Sequence, residues 1–338
     1  MPAGIEKFAA VSIVLAPACI FLAYAWSRTS QTITQHQILT GISAGVGSIF
    51  IALLLAIPSL FLAIGQGPLG TALVGAFPGS GINEELAKAL ICAHLIFRAK
   101  AFEEPGEILL LCMLVGFGFA LYENVGYLSG SKDAIGLAYL RALTATMMHM
   151  SLAVLMGAAA VHVSRTGNFT PFVATIAGQM VLHAAYNFPL LYASALAKAG
   201  DGFSPGIITA NSVVLILCVV LAVVALNVTD LRSERSSDRD YYEPLVVAGG
   251  IVLVIFSVVT AAVLNVVPFE NRYVRLAPLH SYLAFCGPPL VLGLEMILST
   301  WRKPSRKPGH PAAHFYAPPA PRRSRTIQPT TFGRRQAR

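Results

Sequence analysis

Asn83-Glu84-Glu85-Leu86-Ala87-Lys88 lies inside an apolar stretch that runs from about residue 70 to 98. A charged side chain at bilayer depth costs about 2.5–3.5 kcal/mol on insertion scales. Five such groups fall in apolar spans of this chain: Glu84, Glu85, Lys88, Glu123 and Arg141. Their summed cost is on the order of 10 kcal/mol before any pairing. Helix packing gives no reason to accept that cost. The reading is a buried polar site in a membrane bundle.

The composition agrees. Of 338 residues, 55% are hydrophobic and 12% charged, and mean hydropathy is +0.67. A soluble domain carries about 25% charged residues. Nine candidate spans follow, at about 8–26, 38–65, 70–98, 106–128, 137–163, 171–197, 204–228, 244–267 and 278–300. Each has the roughly 20 residues needed to cross about 30 Å of hydrocarbon. The expected fold class is all-α, a polytopic membrane helix bundle of about nine transmembrane helices with a broken third span. The first segment has Lys7 ahead of an apolar run, as a signal peptide does. That run continues to Trp26, and Ala16-Pro17-Ala18-Cys19 is a poor cleavage site, so it reads as a retained helix.

Charge is lopsided. The tail after Trp301 holds ten Lys/Arg and no acid, so the net +8 is a −2 body plus a +10 tail. Basic, Pro-rich and without apolar periodicity, the tail is expected to be disordered. Positive charge stays cytoplasmic. With nine spans, 17 Lys/Arg then fall inside and 5 outside, and the N-terminus lies outside. Anionic lipid headgroups are a fitting partner for the tail. Nothing else in the chain supports nucleic acid. The five cysteines are isolated within spans and form no CxxC, which reads as core packing. The expected organisation is 1–66 N-terminal helices, 67–200 a four-motif catalytic bundle, 201–300 C-terminal helices and 301–338 the tail.

Phe77-Pro78-Gly79-Ser80-Gly81 breaks the third span, so a new helix is expected from Ser80 or Asn83 as N-cap. Glu84 and Glu85 would fall in its first turn, where the macrodipole favours carboxylates. Lys88 is within pairing distance of either. The fourth span places Phe119 and Glu123 on one face, followed by Asn124, with Gly116, Gly118 and Gly126 allowing close helix approach. The fifth carries Arg141, His149 and Gly157, and the sixth a polar stripe of Gln179, His183 and Asn187. From one membrane face, Glu84 and His149 lie roughly 21 Å deep, Glu123 roughly 24 Å and His183 roughly 18 Å. Four antiparallel helices thus bring their polar residues to one level. His94, His162 and His280 read as helix–helix hydrogen-bond donors, and Glu295 as an interfacial or pairing acid.

Such a cluster has the parts for amide hydrolysis. A carboxylate deprotonates a trapped water, an imidazole polarises the carbonyl or protonates the leaving amine, and Asn187 can donate to the oxyanion. No HExxH motif and no paired GxGD-type aspartates occur.

Glu84-Glu85-x-x-Lys88, Phe119-x-x-x-Glu123-Asn124, His149 followed by Gly157, and His183-x-x-x-Asn187 together resemble the four motifs of the PrsW-type intramembrane proteases. Those proteases are related to the CAAX prenyl endopeptidases and the bacteriocin-immunity group. The resemblance covers about residues 70–195. It implies cleavage of a membrane-anchored protein, with anti-sigma factors as the known kind of substrate, in a bacterial plasma membrane. By analogy with the CAAX enzymes it implies that one of the paired glutamates activates water while Glu123, His149 and His183 bind or polarise. Within that frame Glu84 is read as the base and Glu85 as its partner, Asn187 completes the catalytic set, and Lys88, Phe119, Asn124 and Arg141 support it. Glu123 stands where the CAAX group has histidine. The expected mechanism is a glutamate one without a cofactor. The alternatives are a zinc or other divalent-metal enzyme ligated among Glu84, Glu85, Glu123, His149 and His183, a proton-coupled transporter, or a silent scaffold.

Overall fold

The computed structural model describes residues 3–29, 33–201, 205–229, 243–266 and 278–301. The 302–338 tail, with its expected disorder, lies outside the described residues, as does the His280 side chain.

Helices account for nearly all of these residues, and no strand occurs among them. In chain order they are α1 (Ala3–Arg28), α2 (Gln35–Leu62), α3 (Pro68–Ala76), α4 (Ile82–Ala93), α5 (Pro105–Gly130), α6 (Ala134–Leu143), α7 (Ala145–Thr166), α8 (Thr170–Ala199), α9 (Pro205–Val228), α10 (Glu243–Val266) and α11 (Pro278–Trp301). Six are long and apolar enough to cross a membrane, counting α6 and α7 together. The α3–α4 and α8 segments fall short of that apolar standard because they carry the acids and the polar stripe. The chain is a polytopic helical membrane protein.

The centre of the bundle is α5, in which every residue from Ile108 to Ala120 is buried. It packs against α1, α2 and α7. Between helices in lipid there is no hydrophobic drive, so close approach and hydrogen bonds hold them together. A Cβ on Gly116 would come within 2.6 Å of Ala153 Cβ, so α5 and α7 touch because that position is glycine. Gly118 meets the α2 backbone in the same way. Gly126 does not take this role, because open space lies beside it. Leu53, Leu54, Ile57 and Leu60 of α2 point outward, as lipid-facing residues do.

Two interruptions shape the site. At 77–81 the chain does not stop and cap. It passes through a π-helical turn, Phe77–Gly81, in which the Ile82 N–H donates to the Phe77 carbonyl. Ser80 Oγ bonds the Ala76 carbonyl at 3.0 Å and Asn83 Nδ2 bonds that of Pro78, so neither serves as an N-cap. The first amides of α4 are therefore not a free helix end, and the expected macrodipole at Glu84 and Glu85 is not present there. The second interruption divides the expected fifth span at Thr144 (φ −114°, ψ −83°). Its hydroxyl donates to the Leu140 carbonyl at 2.7 Å.

Outside this region, Glu295 accepts from Asn227 at 2.9 Å and from Tyr24 at 3.5 Å, which ties α11 to α9 and α1. That fits a pairing acid. His94 and His162 are exposed on the bundle surface, which differs from the expected interhelical donors. The cysteines are free, and Cys92, Cys112 and Cys218 are buried.

Candidate active site

The π turn sets α4 against α8. A Cβ on Gly81 would come within 2.6 Å of the Met180 carbonyl and 2.9 Å of the Ala184 amide. Only glycine permits that approach, which brings Glu84 and Glu85 to His183. Asn187 Nδ2 donates to Ser80 Oγ at 2.9 Å and fixes the same contact from the other side. Gln179 Nε2 donates to the Leu152 carbonyl at 2.7 Å and holds α8 to α7. The outer members of the polar stripe thus anchor the helix, and the middle one, His183, enters the cluster.

Glu85 is fully buried. Its Oε1 lies 2.5 Å from Lys88 Nζ and 2.7 Å from His183 Nδ1. Lys88 is equally buried; it stands 3.3 Å from His149 Nδ1 and 4.6 Å from the centre of the Phe119 ring. Of the two acids open to it by spacing, Lys88 takes Glu85. His149 Nε2 lies 2.9 Å from Glu123 Oε2, and Arg141 reaches the same oxygen at 2.9 Å. Asn124 accepts from Arg141 Nε at 2.5 Å and donates to Thr146 at 2.9 Å. The Arg141 guanidinium rests 3.9 Å over the Tyr127 ring. The His149 and His183 rings are 5.2 Å apart.

Glu84, Glu85, Lys88, Glu123, His149 and His183 therefore meet, with Phe119 against them and Arg141 and Asn124 behind Glu123. Asn187 is joined to Ser80. Sequence reasoning misses Tyr127 and Thr146. Tyr127 sits four residues after Glu123, a spacing that could have marked it.

Charge in the cluster does not balance. Glu85 has Lys88 and Glu123 has Arg141, but Glu84 has no fixed cation among the described residues. Its Oε2 is buried without a hydrogen-bond partner among the described residues and lies 3.7 Å from His183 Nε2. A carboxylate only accepts, so His183 Nδ1 carries a proton toward Glu85, and in the neutral ring Nε2 presents a lone pair toward Glu84. With that ring neutral and Glu84 ionised, two acceptors face each other across 3.7 Å. A cation fits such a gap. Donor atoms of Glu84, His149 and His183 all lie within 4.8 Å of one another, and that set can hold a metal ion.

An apolar helix bundle enclosing a carboxylate–imidazole centre is compatible with a membrane-embedded hydrolase. A family model described as PrsW family intramembrane metalloprotease matches residues 34–226, more than half of the chain. The chain belongs to that family. No curated protein and no solved structure matches it. The match reaches beyond the four motifs to α2 and most of α9, and it supports the peptidase over the transporter reading. It also overturns the expectation of chemistry without a cofactor, because the family is one of metalloproteases and a Glu/His/His group able to bind metal is present.

Proposed function

We propose that the chain is a metal-dependent intramembrane protease that cuts a membrane-anchored protein at the Glu84–His183 gap. The observation that carries this is that Glu84 alone among the three clustered acids lacks a fixed cation among the described residues, while His183 Nε2 faces it at 3.7 Å. Glu84, His149 and His183 would hold the ion. His149 exchanges one present partner, Lys88 or Glu123, to do so; His183 exchanges none. When bound, a divalent metal supplies Lewis-acid polarisation of a carbonyl and a more acidic water.

The chain's own residues do the rest. Glu84 has two oxygens, so it can share in holding the ion and also accept the proton of the attacking water. The peptide C–N bond then breaks, and the leaving nitrogen takes that proton back. Glu85 orients His183, and Lys88 keeps Glu85 charged in its buried position. Arg141 and Asn124 hold Glu123 against His149.

Substrates are membrane-anchored proteins, and anti-sigma factors are the kind this reading favours. The setting is a bacterial plasma membrane, with the basic tail cytoplasmic against anionic headgroups and the N-terminus outside. Purified protein is expected to carry a stoichiometric divalent metal that Glu84→Gln and His183→Ala release. Both variants, and chelator, are expected to stop cleavage of a co-expressed membrane substrate. A metal-free wild type, or undiminished cleavage in both variants, overturns the reading.

A further inference from the structure

His149 has a charged partner within hydrogen-bond distance of each ring nitrogen. Nε2 lies 2.9 Å from Glu123 Oε2, and Nδ1 lies 3.3 Å from Lys88 Nζ. An ammonium only donates and a carboxylate only accepts. The two contacts therefore name one tautomer: Nε2 carries the proton toward Glu123, and Nδ1 accepts from Lys88. His183 is turned the other way, with Nδ1 toward Glu85 at 2.7 Å and Nε2 toward Glu84 at 3.7 Å.

The two partners of His149 are not equally held. Glu123 Oε2 is also reached by Arg141 at 2.9 Å, and that guanidinium is tied to Asn124. Lys88 stands closer to Glu85 Oε1, at 2.5 Å, than to His149, and it lies 4.6 Å from the centre of the Phe119 ring, whose face attracts cations. Giving up His149 leaves Lys88 both of those seats. Giving up Glu123 would instead move the His149 proton to Nδ1, where the ammonium already points a donor. Metal-ligating histidines characteristically donate their other N–H to a carboxylate, the arrangement His149 has with Glu123 and His183 with Glu85. We infer that Lys88 and the metal ion compete for His149 Nδ1: with the ion bound, His149 ligates through Nδ1 and keeps Glu123, His183 ligates through Nε2, and Lys88 keeps only Glu85 and the Phe119 face. The inference rests on the metal-dependent reading above and specifies which partner His149 gives up.

The competition has two physical sides. The His149 side chain is buried, and a buried acceptor without a donor is costly, so Lys88 satisfies Nδ1 whenever no ion does. The same ammonium opposes a divalent ion by like charge at close range. Lys88 thus makes metal binding weaker than the ligand set alone would allow. A lysine that only braced the cluster would act in the opposite sense, because its loss would loosen the ligands.

The test uses full-length protein in detergent, with ring-15N histidine, loaded with 113Cd. Spin coupling to the metal marks each ligating nitrogen. Nδ1 and Nε2 are told apart by ring protons, because Nδ1 lies beside one carbon-bound proton and Nε2 beside two. Coupling is expected at Nδ1 of one histidine and Nε2 of another, with the Nδ1 signal lost in His149→Ala. Coupling through Nε2 of His149, or none at His149, overturns the inference. Lys88→Met is expected to bind cadmium severalfold more tightly, read by competition with a chromophoric chelator. Equal or weaker binding overturns the competition. The coupling pattern needs no folded Lys88 variant. A protein that takes up no stoichiometric metal fails the metal-dependent reading and this inference together, whereas ligation through His149 Nε2 fails this inference alone.

Discussion

Glu85 Oε1 and His183 Nδ1 stand 2.7 Å apart with both side chains buried. One hydrogen bond across 98 residues of sequence fixes the tautomer of the histidine. It presents Nε2 to Glu84, and it does so from a carboxylate that Lys88 already neutralises. On the proposed reading the orienting acid and the working acid are therefore different residues, although they are adjacent in sequence. Their side chains leave α4 about 100° apart.

Glu85→Gln keeps the shape and removes the charge that orients His183. Outer-shell partners of metal ligands typically change affinity by about 10–100-fold. We expect a loss of metal affinity in that range, with the helical content unchanged, measured by competition with a chromophoric chelator. Unchanged affinity would remove Glu85 from the support of the site.

Lys88→Met leaves Glu85 buried beside a lone imidazole. Breaking one side of a buried ion pair costs about 3–5 kcal/mol. The double variant Lys88→Met/Glu85→Leu removes both charges and is expected to recover most of that loss. Thermal unfolding in detergent reads the cycle. If the single and double variants unfold alike, the pair is not a coupled unit.

Much of the site could be read from the sequence because helical periodicity is rigid. Spacing alone put Glu123 four residues from Phe119 and His183 four from Asn187, and depth counting placed the acids and histidines at one level. The choice among partners could not be read. Lys88 is three residues from Glu85 and four from Glu84, and only packing against α8 decides between them. The break at 77–81 was visible, but not its form: Pro and Gly signal an end, whereas the backbone here satisfies itself through a wider turn. Thr144 gives no strong breaking signal, so the split between Arg141 and His149 was hidden. Metal stood as an alternative to a cofactor-free mechanism, because the same donors serve acid–base chemistry and coordination. What argues for it is Glu84 Oε2, without a hydrogen-bond partner among the described residues, 3.7 Å from His183 Nε2.

Gly81→Val inserts a side chain where a Cβ already meets the Met180 carbonyl and the Ala184 amide. Overpacking of this kind costs about 1–3 kcal/mol. The larger effect is expected on the site, because α4 moves from α8 and the Glu85–His183 contact lengthens. Metal binding and cleavage should both fall, while Gly126→Val, with open space beside it, should leave both unchanged.

Asn187 separates two roles that its residue type allows. An oxyanion donor is worth about 10²–10³ in rate when removed. A positioning residue that holds the π turn through Ser80 Oγ loses only one interhelical hydrogen bond, about 0.6 kcal/mol on average in membrane bundles. The 2.9 Å contact to Ser80 engages the amide nitrogen, the atom an oxyanion would need. Asn187→Leu and Ser80→Ala are therefore expected to slow cleavage by similar amounts, each less than about tenfold, and the double variant should be no slower than either. A rate for Asn187→Leu that falls a hundredfold below that of Ser80→Ala would instead place Asn187 at the reacting carbonyl.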